Sequence, residues 1–96
     1  MSYRVLVRIR AQRDIDTARE WYERHSPVLG EHFVDEIDAV IRTITETPVI
    51  YQRVHKDIRR AMTRQFRYAI YFIVKGDRLS VLRVLHQARN PPEWME

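Results

Sequence analysis

Six arginines in the second half of the chain (Arg59, Arg60, Arg64, Arg67, Arg83 and Arg89), with His86 among them, are the side chains best suited to handling an anion. A guanidinium is planar, permanently charged and forked, so it grips a phosphate through two parallel N–H donors. Several around one phosphate would also stabilise the charge of a pentacovalent phosphorane. A nuclease built this way also wants a general base, and His86 is the natural suspect because imidazole changes charge near neutral pH. A lone His at a strand end is more often a hydrogen-bonded structural residue. The six arginines are therefore read first as an anion- and target-binding set, and catalysis by His86 as the lesser reading.

Other chemistries find little support. His25, His32, His55 and His86 show no paired metal-ligand spacing, and with no Cys there is neither a thiolate site nor a disulfide framework. With glycine only at positions 30 and 76, no phosphate-cradling loop or nucleophile elbow can be built. The acids lie on helix faces, where such charges ordinarily serve solvation. No cofactor and no metal is expected. The first residues, MSYRVLVRIR, lack a continuous apolar stretch and do not read as a signal peptide. No run approaches the ~20 apolar residues of a membrane span. A soluble cytoplasmic chain with a single domain over residues 1–96 is the expectation.

The net charge of +4 is unevenly spread. Residues 14–46 carry nine acids and three bases, whereas residues 50–90 carry ten bases and two acids, and residues 1–13 add four Arg. Such asymmetry predicts a positive face that meets an anionic partner.

Periodicity places these charges. Tyr3, Val5, Val7 and Ile9 alternate with arginines, as in a half-buried strand. Asp14 reads as an N-cap, followed by Ile15, Ala18, Trp21 and Tyr22 on one helical face and a stop near His25. Ser26-Pro27 opens a second helix, whose stripe of Phe33, Ile37, Val40, Ile41 and Ile44 ends before Pro48. Three strands are then expected at residues 58–64, 66–74 and 78–86, the last two joined by a type II′ turn at Gly76-Asp77. The turn sets Phe72 opposite Val81, Ile70 opposite Arg83 and Arg67 opposite His86. The fold class is α+β: a strand, a helix hairpin and a three-stranded antiparallel meander forming one mostly antiparallel four-stranded sheet. One helix hairpin covers one sheet face, so the other should present apolar surface to a protein partner, unless a homodimer or the C-terminal tail covers it.

The order of these elements, with DIDTAREWYE, GEHFVDEIDAVI, PVIYQRV, IRRAMTRQFRYAIYFIV and VLRVLHQARNPPEW, resembles the RelE/ParE toxins of type II toxin–antitoxin modules. The resemblance covers essentially the whole chain and rests on order and spacing more than on any one motif. It implies a small plasmid-stabilisation-type toxin that inhibits growth and is neutralised by a cognate antitoxin, with operator DNA bound only through that antitoxin. The antitoxin is expected on Ile70, Phe72, Val81 and Trp94. RelE-like members cleave mRNA on the ribosome with a set of basic residues, and ParE-like members inhibit DNA gyrase without it. Arg59 and Arg89 fall at positions of the nuclease set, while Ala61 and Tyr68 replace two of its cations and Trp94 stands near its tyrosine. The pattern is more similar to the ParE branch, which implies a gyrase poison that is not itself an enzyme. The alternative is an mRNA endoribonuclease using Arg59, Arg60, Arg89 and His86. A third reading is a non-toxic module that only binds the antitoxin.

Overall fold

The computed structural model describes residues 3–88. In chain order these form β1 (Arg4–Val7), α1 (Ile9–His25), α2 (Pro27–Glu46), one 3-10 turn (Pro48–Ile50), β2 (Arg53–His55), β3 (Ile58–Met62), β4 (Tyr68–Lys75) and β5 (Arg78–His86). The strands build one sheet in the order β1-β5-β4-β3-β2. β1 runs parallel to β5, and every other neighbouring pair is antiparallel. The α+β class and the helix hairpin agree with expectation, but the sheet has five strands rather than four. The added strand, β2, is three residues long, too short for its alternation to stand out. Lys56 in the left-handed region (φ 50°) turns it into β3.

Both helices end where local chemistry demands. Ser26 is extended (φ −167°) and serves as the last cap of α1 and the first of α2, with Pro27 at the opening helical position. The two helices sit close at Gly30, where an added Cβ would run into the Glu23 side chain and lie 3.3 Å from the Arg19 carbonyl. α1 starts at Ile9, five residues before the expected cap at Asp14, because Arg10, Ala11 and Gln12 are good helix formers. The alternation that suggested a strand to residue 10 therefore stops at Val7.

The helices cover one face of the sheet. Phe33 is fully buried, with the rings of Tyr68, Tyr22 and Phe66 at 4.9, 5.4 and 5.6 Å. Ile37 and Ile44 of α2 and Ala11, Ile15 and Ala18 of α1 join Ile70, Phe72, Leu79, Val81 and Val84 from the strands beneath. Trp21, expected in this core, is instead half exposed and lies tilted on the His25 ring at 4.4 Å.

The β4–β5 hairpin turns at Gly76, whose φ of 62° a side chain would resist, and Phe72 faces Val81 as predicted. The next step departs from prediction. Tyr71 faces Arg83, Ile70 faces Val84 and Tyr68 faces His86, so Leu82 is an extra, bulged residue. Strict alternation after Leu79 and Val81 would have sent Arg83 into the core. The bulge sends Val84 there instead.

Candidate functional site

None of the five strands contains an Asp or Glu, yet together they carry Arg4, Arg53, Arg59, Arg60, Lys75, Arg78 and Arg83. α2 is the counterpart: Glu31, Asp35, Glu36, Asp38 and Glu46 against Arg42 alone. The charge asymmetry of the sequence thus becomes a layering, with an acidic helix above a basic sheet.

The six arginines read as one anion-binding set are not brought together. Arg59 lies on the helix-covered face, where its Nη1 donates to the carbonyls of Tyr51 (2.6 Å) and Val49 (3.1 Å). It thereby ties the 3-10 turn to the sheet rather than waiting for a phosphate. Arg83 makes a two-point bond with Asp14, from Nε at 2.8 Å and Nη2 at 3.1 Å. The Val84 N–H donates to the same carboxylate at 3.0 Å. The physical reason is plain: β1 ends at Val7, opposite Val81, so among the described residues β5 continues with no strand on that side. Asp14 supplies the acceptor that a strand would have offered. The residue expected to cap a helix therefore closes a sheet, and the arginine expected to bind target is held by it.

Arg60, Arg64 and Arg67 make no ion pair among the described residues. Arg60 faces Tyr71 on the helix-free face, while Arg64 and Arg67 belong to the loop 63–67 between β3 and β4. That loop is unusual: Phe66 (φ 69°) and Arg67 (φ 56°) are consecutive left-handed residues, neither of them glycine. A carboxylate from α2 holds it, Glu36 Oε2 accepting from the N–H groups of Arg64 (2.8 Å) and Gln65 (3.1 Å). Thr63 completes the clasp, its hydroxyl donating to the Gln65 carbonyl (2.5 Å) and accepting from the Tyr68 N–H (2.9 Å). Arg89 and Trp94 lie outside the described residues.

His86 is partly buried beside Tyr68, ring to ring at 5.2 Å. The Ala88 N–H donates to its Nδ1 at 3.1 Å, which leaves the proton of the neutral ring on Nε2. With Nδ1 engaged in this way, the ring lines a cleft of about 380 Å³ with Trp21, Tyr22, Arg24 and Tyr68. Its expected neighbour across the sheet was Arg67. The bulge replaces that neighbour with Tyr68. Among the described residues no cluster of His, Cys, Asp or Glu is placed to hold a metal ion, and no helix is long and apolar enough to cross a membrane.

The expected antitoxin residues need the clearest correction. Ile70, Phe72 and Val81 are fully buried beneath the helices, so they form core and offer no surface to a partner. The opposite, helix-free face is only partly exposed: Ala69, Tyr71 and Leu85 form a second, smaller buried cluster there, with Val54 and Ile58 against it. There Ile58, Ile73, Ser80 and Leu82 line a hollow of about 310 Å³ with Arg8, Lys75 and Arg78 at its margin. Ile73 and Ser80 face one another across β4 and β5, and Lys75 faces Arg78 at the hairpin end. The parity of β4 distinguishes its two faces in the sequence, but both are apolar, so periodicity alone does not say which one the helices take. Asp14 and Glu36 were missed as organising residues because nothing in a sequence marks a contact across 69 or 28 positions.

The family model described as the ParE toxin of the type II toxin-antitoxin system, parDE, matches residues 5–91. Among solved structures the chain is similar to one described as the chromosomal ParDE TA system from P. aeruginosa. The TM-score is 0.78, over 88% of this chain and 96% of that chain, at 17% sequence identity, a likeness of fold. A comparison with curated proteins finds no match.

Proposed function

The chain belongs to the ParE toxin family of type II toxin–antitoxin systems, and from that premise we propose that it arrests growth by poisoning DNA gyrase and is neutralised by a cognate antitoxin. The observation that carries the reading is a family match spanning residues 5–91. What supports gyrase over mRNA as the target is the state of the would-be nuclease residues. Arg59 is bound to two carbonyls, His86 Nδ1 accepts a backbone N–H, and Ala61 and Tyr68 are buried. An RNA-cleaving centre needs free cations around the phosphate and an unprotonated base nitrogen facing it.

The helix-free face is the surface we assign to the antitoxin. Its hollow, lined by Ile58, Ile73 and Leu82 together with Arg8, Lys75 and Arg78, suits a segment with an apolar stripe and flanking carboxylates. Buried apolar anchors would hold that segment, and charge complementarity would speed its capture. Operator DNA is then reached through the antitoxin, in the cytoplasm, and a homodimer would compete for the same face.

Purified protein should inhibit supercoiling by gyrase and accumulate gyrase-dependent DNA breaks, and an equimolar antitoxin should abolish both. If micromolar protein leaves both assays unchanged, the gyrase target is wrong. Toeprinting on translated mRNA then tests the nuclease reading, which fails if no cleavage appears. Normal growth on induction without antitoxin would leave the antitoxin-binding module.

A further inference from the structure

We propose that the loop 63–67 is a preset contact for the phosphate backbone of DNA, with Arg64 and Arg67 as its cations and Glu36 and Thr63 as its positioning residues. The starting observation is the backbone. Two consecutive non-glycine residues in the left-handed region each cost on the order of 1–2 kcal/mol, and here they are Phe66 and Arg67. Such a conformation persists only where its surroundings over-determine it. Glu36 takes the Arg64 and Gln65 N–H groups, Thr63 bridges Gln65 and Tyr68, and the Phe66 ring is fixed against Tyr22 at 4.9 Å. Every one of these contacts holds the backbone or the core side of the loop. None engages a guanidinium, so the clasp fixes where Arg64 and Arg67 stand and leaves their forks available.

The chemistry of the loop selects the ligand. Arg64, Gln65 and Arg67 are exposed, and Phe66, the one large apolar side chain, is turned into the core. A protein partner would ask for an apolar anchor at the centre of its contact. A phosphate backbone asks for forked donors and little else. The site also lies at the end of the sheet opposite Lys75 and Arg78, separated by the eight-residue length of β4, roughly 25 Å at the rise of a strand. Antitoxin on the helix-free face near the hairpin turn and DNA at this loop are thus distinct contacts. The proposal depends on the toxin reading only for its use, since gyrase acts on DNA.

The test is a titration of a fluorescein-labelled DNA duplex of arbitrary sequence with purified protein at several salt concentrations, read by anisotropy. Removing each arginine (Arg64→Ala, Arg67→Ala) should lower the slope of log affinity against log salt by about 0.9. The Lys75→Ala/Arg78→Ala variant, with the same charge loss as the combined Arg64→Ala/Arg67→Ala variant, should change the slope less than that pair does. An equal effect from both pairs would mean that net charge alone binds the DNA, and the site would be refuted. Glu36→Ala provides a test of opposite sign. It makes the protein more positive, so attraction by net charge predicts tighter binding, whereas loss of the clasp predicts several-fold weaker binding. Tighter or unchanged binding by a folded Glu36→Ala protein overturns the positioning role, with circular dichroism reporting the fold. The exposed Arg64 and Arg67 variants keep the proposal testable should Glu36→Ala fail to fold. Because no gyrase is present, this outcome is independent of the supercoiling assay: either reading can fail while the other stands.

Discussion

The two faces of the sheet are built from the same strands and treat charge in opposite ways. On the helix-covered face, polar groups are bound within the protein: Arg59 holds the carbonyls of Val49 and Tyr51 and Thr63 closes the β3–β4 loop. Where that layer meets the sheet margin, Asp14 joins Arg83 to the Val84 N–H. On the other face Arg8, Lys75 and Arg78 line a hollow with Ile58, Ile73 and Leu82, and no strand brings a carboxylate to it. A cation under a helix layer has lost water and must be bonded in place, whereas a cation on the rim keeps its hydration and remains available. The difference teaches that a count of arginines overstates a binding site. What matters is which of them the fold has already engaged.

This contrast can be broken by mutation, most strongly in the core. Phe33→Ala should cost about 3–5 kcal/mol, because the ring stands among Tyr22, Phe66 and Tyr68. Urea denaturation would show it as a lowered midpoint. A loss below 1 kcal/mol would mean that the aromatic cluster is not the centre of the fold. Asp14→Ala comes next. Its carboxylate and the Arg83 guanidinium are 14% and 18% exposed, so the variant removes a two-point acceptor from a largely buried cation and the acceptor of a backbone N–H. A loss of about 2–3 kcal/mol is expected. Asp14→Asn, which keeps an acceptor for Val84, should recover part of it. The smallest effect on stability belongs to the open face. Lys75→Glu/Arg78→Glu should stay within about 0.5 kcal/mol of the parent yet slow antitoxin association about tenfold or more at low salt. Stopped-flow or surface-plasmon kinetics would measure it, and an unchanged association rate would remove the antitoxin from this face.

Much of the architecture is legible in residue order because it rests on local chemistry. Ser26-Pro27 separates two helices, Pro48 ends the second, and Gly76 turns a hairpin whose first paired rows follow from the turn itself. The reading fails where a distant group decides. Leu82 is as good a strand residue as its neighbours, and only the three-dimensional fit of Val84 into the core and of Asp14 against the strand margin makes it a bulge. One extra residue was enough to exchange Arg67 for Tyr68 opposite His86 and to remove the apparent alliance of a base with a cation. Arg59 was misjudged for a similar reason: a backbone carbonyl carries no mark in a sequence, and two of them satisfy this guanidinium.

The parallel pairing of β1 with β5 has a consequence for how the chain comes to exist. β1 is the first strand made and, among the described residues, pairs with residues 78–81, at the far side of both helices and three other strands. Asp14 likewise waits for Arg83, 69 positions later. During synthesis the α1–α2 hairpin can form early, but its apolar stripe has no sheet to cover until β4 and β5 have left the ribosome. Contacts of such long sequence separation make folding slow and all-or-none. Nascent fragments shorter than about eighty residues therefore lack the sheet on which every proposed contact depends. An antitoxin already present in the cell would meet its partner face only once the last strand is complete.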